Sequence, residues 1–146
     1  MPKALKMGRA FLFRLPGGCD IIEALTAFCA RNKVHCATLA LIGATSEVTI
    51  GYYDQKTHAY HKKTIVEELE ILSALGNVSL KDGKPFLHVH ATMGDAKLRA
   101  WGGHLFPGSK VFAAEAHVTE WRGAKLERMP DRGTGLSLWP EACSAL

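Results

Sequence analysis

Hydrophobic positions repeat at helical spacing in one stretch of this chain and at strand spacing almost everywhere else. Residues 10–15 read as an opening strand, stopped by Pro16-Gly17-Gly18. Asp20 then fits a helix N-cap: its carboxylate can accept from the free amides of a first turn, and Glu23 follows three residues on. The spacing of Ile21, Leu25, Phe28 and Cys29 predicts a helix over residues 21–32 that turns one apolar stripe to a sheet, which makes Cys29 a core residue. Residues 36–42 are a nearly continuous apolar run, suited to a strand covered on both faces. Residues 47–54 alternate Val48, Ile50 and Tyr52 with Thr49 and Gly51, and residues 65–75, 78–80, 86–93 and 111–121 continue the strand series. Lys81-Asp82-Gly83-Lys84 reads as a hairpin turn through its Asp-Gly pair. One helix followed by mainly antiparallel strands implies an α+β fold: a single compact domain over residues 8–130, mostly antiparallel sheet with the helix packed on one face. Residues 131–146, in a stretch rich in Gly, Pro and small side chains, are expected to form a C-terminal arm or a loosely held tail.

The strand over residues 86–93 carries the chemistry. Side chains alternate along a strand, so Phe86, His88, His90 and Thr92 share one face and Leu87, Val89, Ala91 and Met93 the other. The two histidine Cα atoms then lie about 6.6 Å apart, close enough for both rings to reach one divalent ion at about 2.0 to 2.1 Å. His104 can supply a third ligand, because Gly94-Asp95 turns the chain and brings the next strand back alongside. Three protein ligands with one open position suit a catalytic or ligand-exchanging metal site, whereas structural zinc sites are closed by four. A half-buried, merely hydrogen-bonded histidine is the ordinary alternative for a lone His-x-His, and spacing alone leaves both readings open. Gly102-Gly103 ahead of His104 permit unusual backbone angles or close approach.

With 146 residues, 47% hydrophobic and 22% charged, the chain can bury a full core without a metal or disulfide to hold it. Cys19, Cys29, Cys36 and Cys143 form no C-x-x-C pair and sit in apolar or helical surroundings, so free thiols in a reducing cytoplasm are expected. The N-terminal stretch lacks the apolar core and cleavage site of a signal peptide, and no apolar run reaches membrane-spanning length. The net charge of +4 comes without a basic stripe interleaved with aromatics, which argues against a dedicated nucleic-acid binder.

Several segments, in order and spacing, resemble one known family. They are Arg14-Leu15-Pro16-Gly17 with Asp20-Ile21, Glu70-Ile71-Leu72-Ser73-Ala74-Leu75-Gly76, Asp82-Gly83-Lys84-Pro85-Phe86-Leu87-His88-Val89-His90, Gly94-Asp95, Gly102-Gly103-His104-Leu105 and Ala114-Glu115. Over about residues 8–130 the chain resembles the PPC domain, the plants and prokaryotes conserved domain that accompanies AT-hook segments in plant DNA-binding proteins. The resemblance implies a compact, mostly antiparallel domain assembled as a homotrimer. It also implies a metal, usually taken as zinc in prokaryotic members, on His88, His90 and His104. Two departures stand out. The family's Gly-Glu-Asp is Gly18-Cys19-Asp20 here, and there is no Arg-Gly-Arg-Pro segment, so the minor-groove reader of the plant proteins is missing.

Glu115 and His117 are expected to share a face of the strand over residues 111–121 with Val111 and Ala113. Glu115 there could orient a metal-ligating imidazole or act as general base on a water the ion acidifies; the alternative is a buried glutamate paired with an arginine such as Arg14. Glu70 is equally ambiguous. Lys62, Lys63, Arg122, Lys125, Arg128 and Arg132 read as solvated positions, Tyr52 and Tyr53 as a strand end, and Trp101 as either pocket wall or core. Three function classes follow: a trimeric metal protein that binds or hydrolyses a small ligand, a DNA-associated regulator, and a structural assembly module. The first takes itself and a small molecule as partners, with only weak, non-specific contact to nucleic acid and none to membrane.

Overall fold

In the computed structural model, which describes residues 4–123 and 125–140, eight strands and one helix follow in the order β1 (Lys6–Leu15), α1 (Ile21–Arg31), β2 (Ala37–Asp54), β3 (Ala59–Ile65), β4 (Leu69–Lys81), β5 (Lys84–Gly94), β6 (Ala100–Arg122), β7 (Glu127–Pro130) and β8 (Ser137–Leu138). Every strand pairing is antiparallel except β4 with β7, so the sheet is mixed. β2 and β6 are long enough to be used twice. β2 pairs with β4 and β6 along its first half, then with β6 and β3 along its second. β6 begins against β5 and ends against β1. The pairings β2–β4–β5–β6–β2 therefore close on themselves, and the apolar faces of these strands meet in one core that includes Leu39, Leu41, Val89, Met93, Ala116 and Val118.

The helix forms for the reasons its residues give. Asp20 Oδ1 accepts from the Glu23 amide at 2.9 Å, and Ile21, Leu25 and Cys29 are buried to within 1%. Phe28 extends the same stripe and stacks on Phe13 at 4.3 Å between ring centroids. The second carboxylate oxygen of Asp20 reaches elsewhere. Oδ2 accepts from the amides of Gly108 and Ser109, 2.6 and 2.9 Å away, which ties the helix start to a bulge in β6.

Where the strands run longer than their pattern predicts, bulges explain it. The expected strands 36–42 and 47–54 are one strand bent at Gly43, whose φ of 140° and close approach to Ala113 and Ala114 admit no side chain. Pro107-Gly108 is likewise a bulge, with Gly108 at φ 95°, inside a strand that starts at Ala100 rather than at residue 111. A further register shift at Phe112 reverses the face: Val111 joins Ala114, Ala116 and Val118 in the core, while Glu115 and His117 point outward with Ala113. Residues 65–75 and 78–80 resolve into the end of β3 and a continuous β4. β3 itself is an exposed edge strand with no apolar alternation to reveal it. The Asp82-Gly83 hairpin is as expected, both residues at positive φ. Among the described residues no helix is long and apolar enough to cross a membrane, and Cys19, Cys29 and Cys36 are free thiols; Cys143 and residues 141–146 of the expected arm lie outside the described residues.

Candidate metal centre

β5 alternates as its sequence requires. Leu87, Val89, Ala91 and Met93 are buried, and His88 and His90 leave the opposite face. β6 returns antiparallel, with His104 directly across from His90 and Gly103 and Gly102 across from Ala91 and Thr92. The glycines serve close approach. A Cβ on Gly102 would strike the Ala91 carbonyl and one on Gly103 the Gly51 carbonyl, so only this pair lets β6 lie between β5 and β2 with His104 beside His90.

The three histidines converge. One ligand-competent atom from each lies within 4.8 Å of the others, and the His88 and His90 Nε2 atoms are 3.1 Å apart. Two nitrogens bound to one tetrahedral zinc ion at 2.0 to 2.1 Å stand about 3.3 Å apart, so this spacing suits a shared ion. His104 Nδ1 is buried without a hydrogen-bond partner, a lone donor or acceptor that a cation or a ligand's polar atom would satisfy. Burial, reinforced by the neighbouring His88, His90, Lys62 and Arg128, pushes the His104 pKa down to about 4; burial with His90 and Arg128 lowers that of His88. Both rings are therefore neutral at pH 7, the form that binds metal.

Around the triad the structure assembles residues from distant segments. His104 packs against Phe106 and Tyr60, at 4.5 and 5.2 Å between centroids, and Lys62 Nζ sits 3.9 Å above the Phe106 ring. A cavity of about 240 Å³ opens beside His88 and His104, walled by Tyr60, Phe86 and Phe106, bordered by Lys81 and Arg128, and roofed by residues 135–138. Tyr53 holds that roof by donating its hydroxyl to the Thr134 carbonyl at 2.6 Å. His90 faces a separate, more open depression with Leu75 and Thr92. Larger depressions elsewhere, next to Phe112 and next to Trp101, contain none of the three histidines.

Other expected participants lie apart. Glu115 is exposed and pairs in register with Ile42 and Arg14, far along β6 from His104, so within one chain it neither orients an imidazole nor acts as base there. The glutamate that is buried with an arginine is Glu120, with Arg9. Trp101 is on the opposite face of β6 from His104 and packs on the core, and Glu70 is exposed opposite Gly94. Arg128, read from the sequence as a solvated position, is instead buried under Phe86 and Trp139. Tyr60 and Phe106 are residues the pattern does not single out, and of these only Phe106, two positions from His104 on the same strand face, carries a sequence signal.

The profile of the Plants and Prokaryotes Conserved (PCC) domain matches residues 3–122. The chain belongs to the PCC domain family. Several solved structures superpose closely. A metal-containing protein of Archaeoglobus fulgidus is 43% identical with a TM-score of 0.90, covering 94% of this chain and 97% of that one. The plant- and prokaryote-conserved (PPC) protein of Pyrococcus horikoshii is 35% identical with a TM-score of 0.92, covering 97% of both chains. A protein of Bacteroides thetaiotaomicron described as a candidate DNA-binding protein is 28% identical with a TM-score of 0.83, covering 93% and 96%. The chain spans about a fifth of the length of the curated relatives it matches: it is 33% identical over 138 residues to the bifunctional protein GlmU of Synechococcus sp. strain JA-3-3Ab, 92% of this chain and 21% of that protein.

Proposed function

We propose that this PCC protein holds one divalent ion, zinc, on His88, His90 and His104, and exchanges a small ligand there as a cytoplasmic homotrimer. The observation that carries the reading is the convergence of three imidazoles, two of them held neutral, one of which keeps a buried nitrogen with no partner of its own. The metal-containing relative of A. fulgidus supports it. Zinc on three imidazoles keeps a fourth position for exchange and acts there as a Lewis acid. The chain's own residues shape what reaches that position. Tyr60, Phe86 and Phe106 exclude water from one side, and the cavity has no carboxylate in its lining among the described residues, which favours ligand binding over base-assisted hydrolysis.

The trimer reading rests on an exposed apolar row. Leu12, His117, Ala40, Leu75 and His90 stand in register across β1, β6, β2, β4 and β5, with Leu12 80% and Leu75 63% exposed. Ile42 on the same outward face is 56% exposed. Such a stripe is what a second copy would cover, and a copy packed there approaches the open side of the histidines. Elemental analysis of protein purified without a histidine tag tests the metal: one zinc per chain is expected, and metal-free protein that cannot be loaded would overturn the reading. The B. thetaiotaomicron neighbour favours a second reading, a DNA-associated regulator, which a salt-dependent duplex titration separates from the first.

A further inference from the structure

Two charged side chains of the described chain are buried, Glu120 and Arg128, and they differ in one respect. Glu120 has Arg9 and Arg122 against it. Arg128, 6% exposed, forms no ion pair among the described residues. Its Nε donates to Ser79 Oγ at 2.7 Å, one Nη to the Ser137 carbonyl at 2.9 Å and the other to Asn77 Oδ1 at 3.0 Å. Phe86 and Trp139 cover it at 5.0 and 4.6 Å from their ring centroids. A guanidinium has five N–H donors, so two remain, one on each terminal nitrogen. A buried cation fixed this firmly by neutral partners lacks the counter-charge that burial normally demands.

Arg128 borders the cavity beside His88 and His104. Lys81, 5.6 Å from the Phe86 ring centroid, borders it too, and Lys62 lies against its Phe106 wall. The rest of the wall is mainly aromatic and aliphatic, from Tyr60, Phe86, Phe106, Leu136 and Leu138, with His88, His104 and Ser137 as its polar members. A mostly apolar cavity with a few convergent cations is the form of a small-molecule site. Two free donors on one guanidinium match the two oxygens of a carboxylate. About 240 Å³ is room for a compact ligand, not a chain of residues.

We propose that the cavity under residues 135–138 binds a small organic carboxylate with a planar apolar body, its acid group paired with Arg128 and Lys81 and its body against Phe86, Phe106 and Tyr60. The assignment names the ligand class for the exchange site proposed above and rests on that reading only for what the ion adds. The carboxylate satisfies Arg128, and the aromatic walls select a flat apolar body over a compact ion such as phosphate.

Calorimetric titration with benzoate, benzamide and inorganic phosphate, on zinc-loaded and chelator-stripped protein, tests this. Benzoate is expected to bind one per chain, with benzamide and phosphate each weaker by about tenfold or more. Arg128→Lys and Lys81→Met are each expected to weaken benzoate severalfold; if Arg128→Lys does not fold, Lys81→Met and Lys62→Met, at partly exposed stems, carry the comparison. Benzoate binding that survives metal removal upholds the cavity even if the metal reading fails. Absence of benzoate binding in both forms, equal binding of benzamide, tighter binding of phosphate, or variants that all bind benzoate like the parent would each overturn the proposal.

Discussion

Glu120 and His104 occupy the two ends of one strand, β6, and their surroundings are opposite. At the C-terminal end, Glu120 accepts from the Arg9 amide at 3.1 Å, from Arg9 Nε at 2.8 Å and from Arg9 Nη2 at 2.9 Å; Arg9 in turn donates to the Asn32 carbonyl after the helix. These bonds hold the carboxyl down to about 2, and the group ties β1, β6 and the end of α1 together with its polar atoms satisfied inside the chain. At the N-terminal end, His104 keeps a buried nitrogen without a partner, and Arg128 beside the same cavity keeps donors to spare. Polar groups that are complete within the chain hold the fold. Those left incomplete, at a cost in desolvation that the fold tolerates, mark where something else belongs.

The sharpest way to break that contrast is His90→Ala. His90 is exposed and outside the core, so the variant should keep the circular dichroism spectrum and melting behaviour of the metal-free parent while losing its ion altogether. Metal analysis showing undiminished zinc would refute the three-histidine assignment.

The next effect concerns assembly. Leu75→Glu puts a charge in the exposed apolar row, and light scattering should shift from three times 15.9 kDa to the monomer mass. A parent already monomeric or dimeric at micromolar concentration would sink the trimer reading.

Glu120→Gln examines the completed end. Here the expected loss is stability, about 1 to 3 kcal/mol from hydrogen bonds to a charged partner, with zinc content unchanged. The pH dependence has a definite sign. The carboxyl is ordinarily near 4.5 and is held at about 2 in the fold, so its contribution is fully present above about pH 4.5 and disappears as pH falls toward 2. Urea unfolding of the parent should weaken more steeply than that of the variant between those values. Parallel curves would mean that the pair contributes little.

How much of this was legible follows from how local each signal is. The N-cap at Asp20, the stripe of α1, the Asp82-Gly83 turn and the two faces of β5 depend on residues a few positions apart, and the structure shows each one. The His88–His90–His104 cluster was legible because a hairpin-like return of one strand suffices to build it. The continuity of β2 and β6 was not, since Gly43 and Pro107-Gly108 look like strand ends in a pattern but act as bulges once neighbouring strands supply the hydrogen bonds. A single extra residue at Phe112 then inverted the predicted face of Glu115. Arg128 was beyond reach for another reason: its burial is made by Phe86 and Trp139 from either side of it in sequence, and a lone arginine near a chain's polar end carries no mark of that.

The smallest expected effect concerns DNA. Specific readout needs an element that enters a groove and presents donors or acceptors to base edges. α1, the one helix of the described residues, has its apolar stripe in the core and a single arginine, Arg31, at its last turn. The cations nearest the histidines are spread over three strands, and Arg128 among them lies under Phe86 and Trp139 and faces the small cavity, not an open surface that a duplex could reach. What remains is counterion release from a chain of net charge +4, which supports duplex binding only in the range of about 10⁻⁴ to 10⁻⁶ M at physiological salt. Fluorescence anisotropy at about 150 mM salt should show weak binding, equal for AT-rich and GC-rich duplexes and unchanged in His90→Ala. Nanomolar, sequence-selective binding would place a groove-reading surface on this chain and make the regulator reading the better one.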